Sequence, residues 1–173
     1  MSNIFLCSDH HLGHSNLLTF KRNDGSPLRS FASITEHDEF LIYKHNCVVK
    51  PTDKVYFLGD VCNKGSLHKL GRMNGEKILI KGNHDTLKIS DYVQYFKDIR
   101  GSHQFDGMLL THIPVHTESL GRWPMNVHGH LHANVVKMGN TQVPDPRYLN
   151  VSMECLPDYT PLSLEEVKKF IVD

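Results

Sequence analysis

The chain has 173 residues, with nineteen basic and nineteen acidic side chains and a formal net charge of zero. That length fits one domain, residues 1–173, with a core of its own, and the charge balance lacks the basic footprint that binding to long nucleic acid demands. No apolar stretch is long enough to cross a bilayer, and the segment Met1–Cys7 is too short and uncharged for a signal peptide, so a cytoplasmic location without membrane association is expected.

Ile4 to Cys7 is a short apolar run that reads as a buried strand. Residues 15 to 19 fit a helical turn capped by Ser15, and the polar stretch from Lys21 to Ser30 turns at Asn23-Asp24-Gly25. Ser33 and Glu36 form a capping box for a helix. Ile34, Phe40, Leu41, Tyr43, Val48 and Val49 supply its apolar face, and Pro51 ends it. Lys54 to Leu58 is a second strand, Ser66 to Met73 a helix, and Lys77 to Ile80 a third strand. Another helix is expected around Asp91 to Phe96. Beyond it, Asp106-Gly107 and Gly139-Asn140 look like hairpin turns between short strands. Ser163 and Glu166 cap a last helix running to Ile171. The pattern predicts an α/β fold with a mixed sheet, in which ligands sit beyond the carboxyl ends of the strands.

Thirteen histidines make that residue the compositional outlier, and histidine is the commonest metal ligand. The four cysteines lie far apart, with no C-x-x-C pair. Cys7, in a strand, and Cys47, in a helix, read as small buried hydrophobes in a reducing compartment.

Potential metal donors fall where the apolar runs stop. Asp9 and His11 come directly after the first run. Side chains at i and i+2 share a face while a strand lasts, so both can reach one ion. Taken alone the pattern is common, and a capping Asp with a surface His is the better account of the pair. Asp60 comes after Gly59, which allows a tight backbone path, and its two oxygens suit it to bridge two cations. In Gly82-Asn83-His84-Asp85, an amide oxygen can bind a metal while its NH₂ donates to a phosphate oxygen. His84 can act there as a proton donor, and Asp85 either orients His84 or caps the segment after it. His112 ends a fourth run, though a lone His in such a place is more often structural. Gly129-His130-Leu131-His132 again sets two imidazoles at i and i+2, a moderately specific metal signal.

In this order, D-x-H, G-D, G-N-H-D, H and G-H-x-H, the chain resembles the calcineurin-like metallophosphoesterases, from Ile4 to His132. The opening Ser8-Asp9-x-His11-x-Gly13-His14-x-Asn16 and the tail Asn150-Val151-Ser152-Met153-Glu154 are similar to a compact prokaryotic or phage-type branch. The resemblance implies a four-layer α/β/β/α sandwich with mixed sheets. It implies Asp9, His11 and His132 on a first metal, Asn83, His112 and His130 on a second, and Asp60 bridging. A hydroxide shared by the two metals would attack phosphorus in line, and His84 would protonate the leaving group. Two divalent metal ions are therefore the expected cofactors. Mn is the first choice by family analogy, and Fe, Zn, Co and Ni suit the same nitrogen and oxygen donors. His14, Asn83 and Arg22 are the candidate substrate contacts. For Arg22 and Arg29 a solvated loop is the commoner account, for Trp123 a packed rim. His10, His116 and His128 flank motif positions and read as surface or supporting residues.

The leading function is hydrolysis of a small phosphoester, a monoester or a diester, with a nucleotide or cyclic nucleotide among the substrates considered. A nuclease acting on short or single-stranded nucleic acid is the alternative. A non-catalytic scaffold, like the retromer subunit that shares the family fold, ranks last because the motif set is complete. Protein-phosphatase relatives carry Asp and Arg shortly after Gly-Asp, where this chain has Val61-Cys62-Asn63-Lys64-Gly65, which counts against that activity. Nothing in the sequence indicates the oligomeric state.

Overall fold

The computed structural model describes residues 2–171. In the first half, β1 (Ile4–Cys7), β2 (Lys54–Phe57), β3 (Glu76–Ile80) and β4 (Asp98–Arg100) pair in parallel, in the spatial order β4-β3-β2-β1. The first three are buried along almost their whole length, as parallel strands covered on both faces must be. The second half supplies β5 (Ser102–Phe105), β6 (Met108–Thr111), β7 (Asn126–His128) and β8 (Tyr148–Asn150), a separate four-stranded sheet. The chain then returns as β9 (Leu162–Ser163), antiparallel to β1 at the edge of the first sheet. Both sheets are thus mixed. The β5–β6 hairpin turns at Asp106-Gly107, with φ of 49° and 79°, the pair of positive angles that a two-residue hairpin turn favours.

Strand alternation stacks the layers. Tyr56 on β2 faces the second sheet, its ring 4.8 Å from Phe105 and 5.6 Å from His103. Its neighbour Phe57 points the other way, against His45 of α1 (Ile34–Val48) and against Phe96, which lies just beyond α2 (Ile89–Tyr92). In the second sheet Leu110 and Val127, in register, join the common core. Asn126 and Tyr148 face outward to the 113–124 connection, which carries α3 (Thr117–Leu120). There Tyr148 Oη donates to the Val115 carbonyl at 2.8 Å, and Val115 N–H donates to Asn126 Oδ1 at 3.0 Å. The result is the expected α/β/β/α sandwich, with a thin fourth layer. The last helix, α4 (Leu164–Lys168), starts with the expected Ser163–Glu166 capping box.

Local expectations fail in instructive places. His14, not Ser15, occupies the N-cap position of the 3-10 helix Ser15–Thr19, and no side chain caps it. Ser33 accepts from Glu36 N–H as expected, but the Glu36 carboxylate takes the Ala32 N–H, so the box at α1 is half formed. The buried face of α1 carries His37, Asp38 and His45 beside Leu41 and Ile42, while Tyr43 and Cys47 are exposed. The segment expected as the Ser66–Met73 helix is a 3-10 helix, Lys64–Arg72, capped by Asn63. The short helix α2 begins two residues before the expected Asp91 and stops at Tyr92. Gly139-Asn140 joins no strands; its loop is closed by a single bridge between Lys137 and Pro144. The last helix ends at Lys168, short of Ile171. Among the described residues no helix is long and apolar enough to cross a membrane.

Candidate metal centre

Beyond the ends of β1 and β2 the two chain segments stay hydrogen-bonded, Asp9 N–H to the Gly59 carbonyl and His11 N–H to the Asp60 carbonyl, each at 3.0 Å. They no longer run as strands. Asp9, His11 and Asp60 have φ of 58°, 50° and 54°, the left-handed region that Asp and His tolerate better than most residues. His130 and His132, in the loop after β7, have φ of 68° and 50°. The paired residues therefore converge through left-handed kinks, not through the strand alternation expected for i and i+2. Gly59 fits because a Cβ there would sit 2.6 Å from His112 Nδ1 and 2.7 Å from Gly82. At Gly129 a Cβ would collide with Ser8 and with the Asp9 carboxylate.

Two donor groups result. In the first, Asp9 Oδ1 lies 3.7 Å from His11 Nε2 and 3.9 Å from His132 Nε2. Asp9 Oδ2 is already engaged, accepting from His130 N–H at 2.8 Å and from the Ser152 hydroxyl at 2.9 Å. Asp9 Oδ1 and His11 Nε2 are buried with no hydrogen-bond partner, and an orphaned buried carboxylate oxygen calls for an explanation. In the second group, His112 Nε2 stands 3.3 Å from Asp60 Oδ2 and 2.9 Å from Asn83 Oδ1. His130 Nδ1 is 3.0 Å from the same Asn83 oxygen. Asp60 Oδ2 is also 3.6 Å from His11 Nε2, which puts it between the groups. Donors about 2.0–2.2 Å from a shared ion lie roughly 3–4 Å apart, so the spacing fits one divalent cation in each group.

Tautomers agree with that fit. His112 Nδ1 donates to the Leu58 carbonyl at 2.7 Å, and His132 Nδ1 donates to Glu154 Oε1 at 3.0 Å. In each ring the Nε2 lone pair is thereby turned toward the donor group, the usual arrangement for a metal-binding His. Electrostatics follow from the crowding. Burial pushes the Asp9 carboxyl up, but the His11, His112 and His132 rings outweigh it and hold the group well below the ordinary range. Burial also works against the charged form of Asp60, and His112 beside it turns the net shift downward. The His112 and His132 rings are pulled down by burial and up by Asp60 and Glu154 respectively, with a net rise. His130, lacking such a carboxylate contact, is lowered by burial and by His112.

A cleft of about 190 Å³ opens beside the groups, lined among others by His11, His14, Asp60, Lys64 and His84. His84 is exposed at its rim, its backbone N–H on Asp60 Oδ1 at 2.8 Å and its ring 5.5 Å from that of His11. His14 shares the cleft, 5.7 Å from the His11 ring, with an unpartnered Nδ1. Arg22 does not reach it; it lines a neighbouring hollow against Ala133 and Asn134.

Several supporting residues escaped sequence reasoning. Arg29, read as a solvated loop residue, is 1 % exposed. It donates to the His10 carbonyl, the Asp9 carbonyl and Glu154, and its Nη1 lies 2.9 Å from His37 Nε2. Glu154, also fully buried at its side chain, joins Arg29 to His132. Asp85 neither orients His84 nor caps a helix. It accepts the backbone N–H groups of Asp60, Val61 and Gly82 at 2.8–3.0 Å, bracing the turn that presents Asp60. The signal for Glu154 and Ser152 was the tail motif Asn150–Glu154, which sequence reading ties to a family branch without assigning a role.

Fold and donors together define an α/β/β/α protein whose strand ends present two adjoining groups able to hold metal ions. The family model described as calcineurin-like phosphoesterase matches residues 2–169, and the chain belongs to that family. It is 32% identical to the uncharacterized protein MJ1445 of Methanocaldococcus jannaschii, over 99% of this chain and 92% of that protein. It is 26% identical to the Gene 66 protein of Mycobacterium phage D29, over 100% and 98% of the two chains. Among solved structures, a protein of unknown function from Aquifex aeolicus, AQ665, shares the fold with a TM-score of 0.68 at 22% identity, covering 99% of this chain and 100% of that one.

Proposed function

We propose that the chain is a phosphoesterase that uses two divalent metal ions to hydrolyse a small phosphoester. Asp9, His11 and His132 would hold one ion, Asn83, His112 and His130 the other, with Asp60 between them. The observation that carries this reading is the pair of acceptor clusters, above all the buried and orphaned Asp9 Oδ1 and His11 Nε2. Bound there, divalent cations would acidify a water and offset the charge of a phosphoryl group in its transition state. Mn is the first ion to try.

The chain's own residues supply the rest. Asp85 and Arg29 fix the backbone of the two donor turns from behind. His84, exposed at the rim and tied through its backbone to Asp60, would give a proton to a departing oxygen. His14 and Lys64, which also line the cleft, would offer donors for phosphate oxygens. A cleft of about 190 Å³ suits a phosphate with a compact substituent, and a zero net charge supports a small substrate over a polymeric one.

A panel of mono- and bis-(p-nitrophenyl) phosphate with Mn²⁺ tests the reading and separates monoester from diester preference. Turnover that chelation abolishes and metal restores is the expected result. No turnover of either ester by metal-replete protein would refute it and favour a binding role for the same fold.

A further inference from the structure

Three more donors meet behind the cleft. Cys7 ends β1, His10 lies between Asp9 and His11, and His45 sits on the inner face of α1. One donor atom from each lies within 4.8 Å of the other two. All three residues are sealed from solvent, none more than 1 % exposed. Phe57 lies against both imidazoles, 4.9 Å from the His10 ring and 5.7 Å from the His45 ring.

These polar groups are not satisfied by the protein. His45 Nε2 donates to the Asn74 carbonyl at 2.9 Å, which leaves Nδ1 as a bare lone pair. That Nδ1 has no partner, and neither has His10 Nδ1. The Cys7 sulfur has only a 4.0 Å contact with the Tyr56 carbonyl. Leaving a buried polar atom unmatched costs about 1–3 kcal/mol, and an aromatic pocket offers no compensation. A cation bound by one thiolate and two imidazoles would satisfy all three groups at once. Zinc bonds of about 2.3 Å to sulfur and 2.0–2.1 Å to nitrogen would set the donors roughly 3.3–3.8 Å apart, within reach of small side-chain rotations.

We propose that Cys7, His10 and His45 form a buried zinc site, distinct from the two donor groups of the cleft. The donor sets differ in kind: the cleft groups offer only oxygen and nitrogen, whereas a thiolate selects a softer ion such as Zn²⁺. No face of the site opens to solvent, so no substrate reaches it and its role is structural, with three protein donors instead of the usual four. It would tie together the end of β1, the turn that presents Asp9 and His11, and α1. On binding, the Cys7 thiol gives up its proton to solvent and a sulfur–zinc bond forms. The site does not depend on the phosphoesterase reading.

The test takes the full chain from cells grown with added zinc and dialyses it against EDTA to strip the exposed cleft. The dialysed protein then goes to metal analysis and zinc-edge X-ray absorption. The expected result is one retained zinc per chain with a single sulfur neighbour at about 2.3 Å. No retained zinc, or zinc with only nitrogen and oxygen neighbours, overturns the proposal. In Cys7→Ser the retained zinc and its sulfur signal should vanish while the cleft still takes up added Mn²⁺. A sulfur signal that persists in that variant, as binding through Cys62 would give, overturns it equally. If Cys7→Ser does not fold, the wild-type spectrum decides alone.

Discussion

Replacing Glu154 with Gln keeps the side chain's shape and removes its charge. Its Oε1 accepts from Arg29 Nε at 2.8 Å and from His132 Nδ1 at 3.0 Å, and both Arg29 and the Glu154 carboxylate are buried. In the variant the Arg29 guanidinium stays buried without a counter-charge, a situation that typically costs about 3–5 kcal/mol. The carboxyl itself gives a similar figure. Burial pushes it up, but Arg29 and His132 hold it at about 2 against an ordinary 4.5, a shift of about 3 kcal/mol at 1.36 kcal/mol per unit. Because the folded value is lowered, that stability is present above pH 4.5 and is lost as the pH falls toward 2. Urea denaturation of chelated Glu154→Gln at pH 7 should show a loss of about 3 kcal/mol, with a flatter acid limb than the wild type. Metal affinity at the Asp9–His11–His132 group should fall about 10–100-fold, as when a ligand's carboxylate partner is removed. A stability loss under about 1 kcal/mol, together with unchanged metal affinity, would show that the buried Arg29–Glu154–His132 chain does not hold the group.

Three further outcomes are expected. His84→Ala should bind metal normally and lose about 10²–10⁴-fold in rate on alkyl phosphoesters, with a much smaller loss on nitrophenyl esters, whose leaving group needs no proton; equal losses on both would remove His84 as the proton donor. Asp60→Asn should lower metal content in both donor groups, measured at matched free Mn²⁺, and full occupancy of both would refute the bridging position. Burial holds His128 at about 4, so the unfolded chain takes up its proton first, and stability is lost as the pH falls below 6.5. The chelated wild type should lose about 2 kcal/mol more between pH 8 and pH 5 than His128→Leu does, and parallel denaturation curves would contradict this.

The apolar runs made the central strands readable, because parallel strands buried on both faces leave a continuous hydrophobic signature. The donors were readable for a different reason: each closes such a run, and their order along the chain resembles a family pattern. Arg29 was not readable, since nothing local distinguishes a loop arginine in water from one enclosed by His10, His37 and Glu154. Its burial depends on residues as far away as Glu154, 125 positions on. The buried face of α1 is hidden in the same way. Counting apolar residues placed Tyr43 and Val48 inward, whereas the buried stripe runs through His37, Leu41 and His45. Histidines on a core-facing helix look polar to a hydrophobicity pattern, so the face that carries the chemistry is the one such a pattern discards. The role of Asp85 is not legible in the sequence, because its partners include backbone groups on a neighbouring loop.

The backbone at the cleft shows why those supporting residues matter. Eight described residues other than glycine have positive φ, and five of them, Asp9, His11, Asp60, His130 and His132, are candidate metal donors. A left-handed residue with a side chain costs about 1–2 kcal/mol, so the strain of the molecule is concentrated where the donors converge. Such strain persists only where the surroundings over-determine it. Asp85, with three backbone N–H groups, holds the Asp60 turn. Arg29 holds the Asp9 and His10 carbonyls, and Ser152 and His130 N–H hold the Asp9 carboxylate. These contacts fix two turns of the first sheet and one of the second at a common point. Donors braced in this way would cost a bound ion little of its binding energy in ordering the protein. Loss of a brace should therefore weaken metal binding even where every donor remains in the sequence.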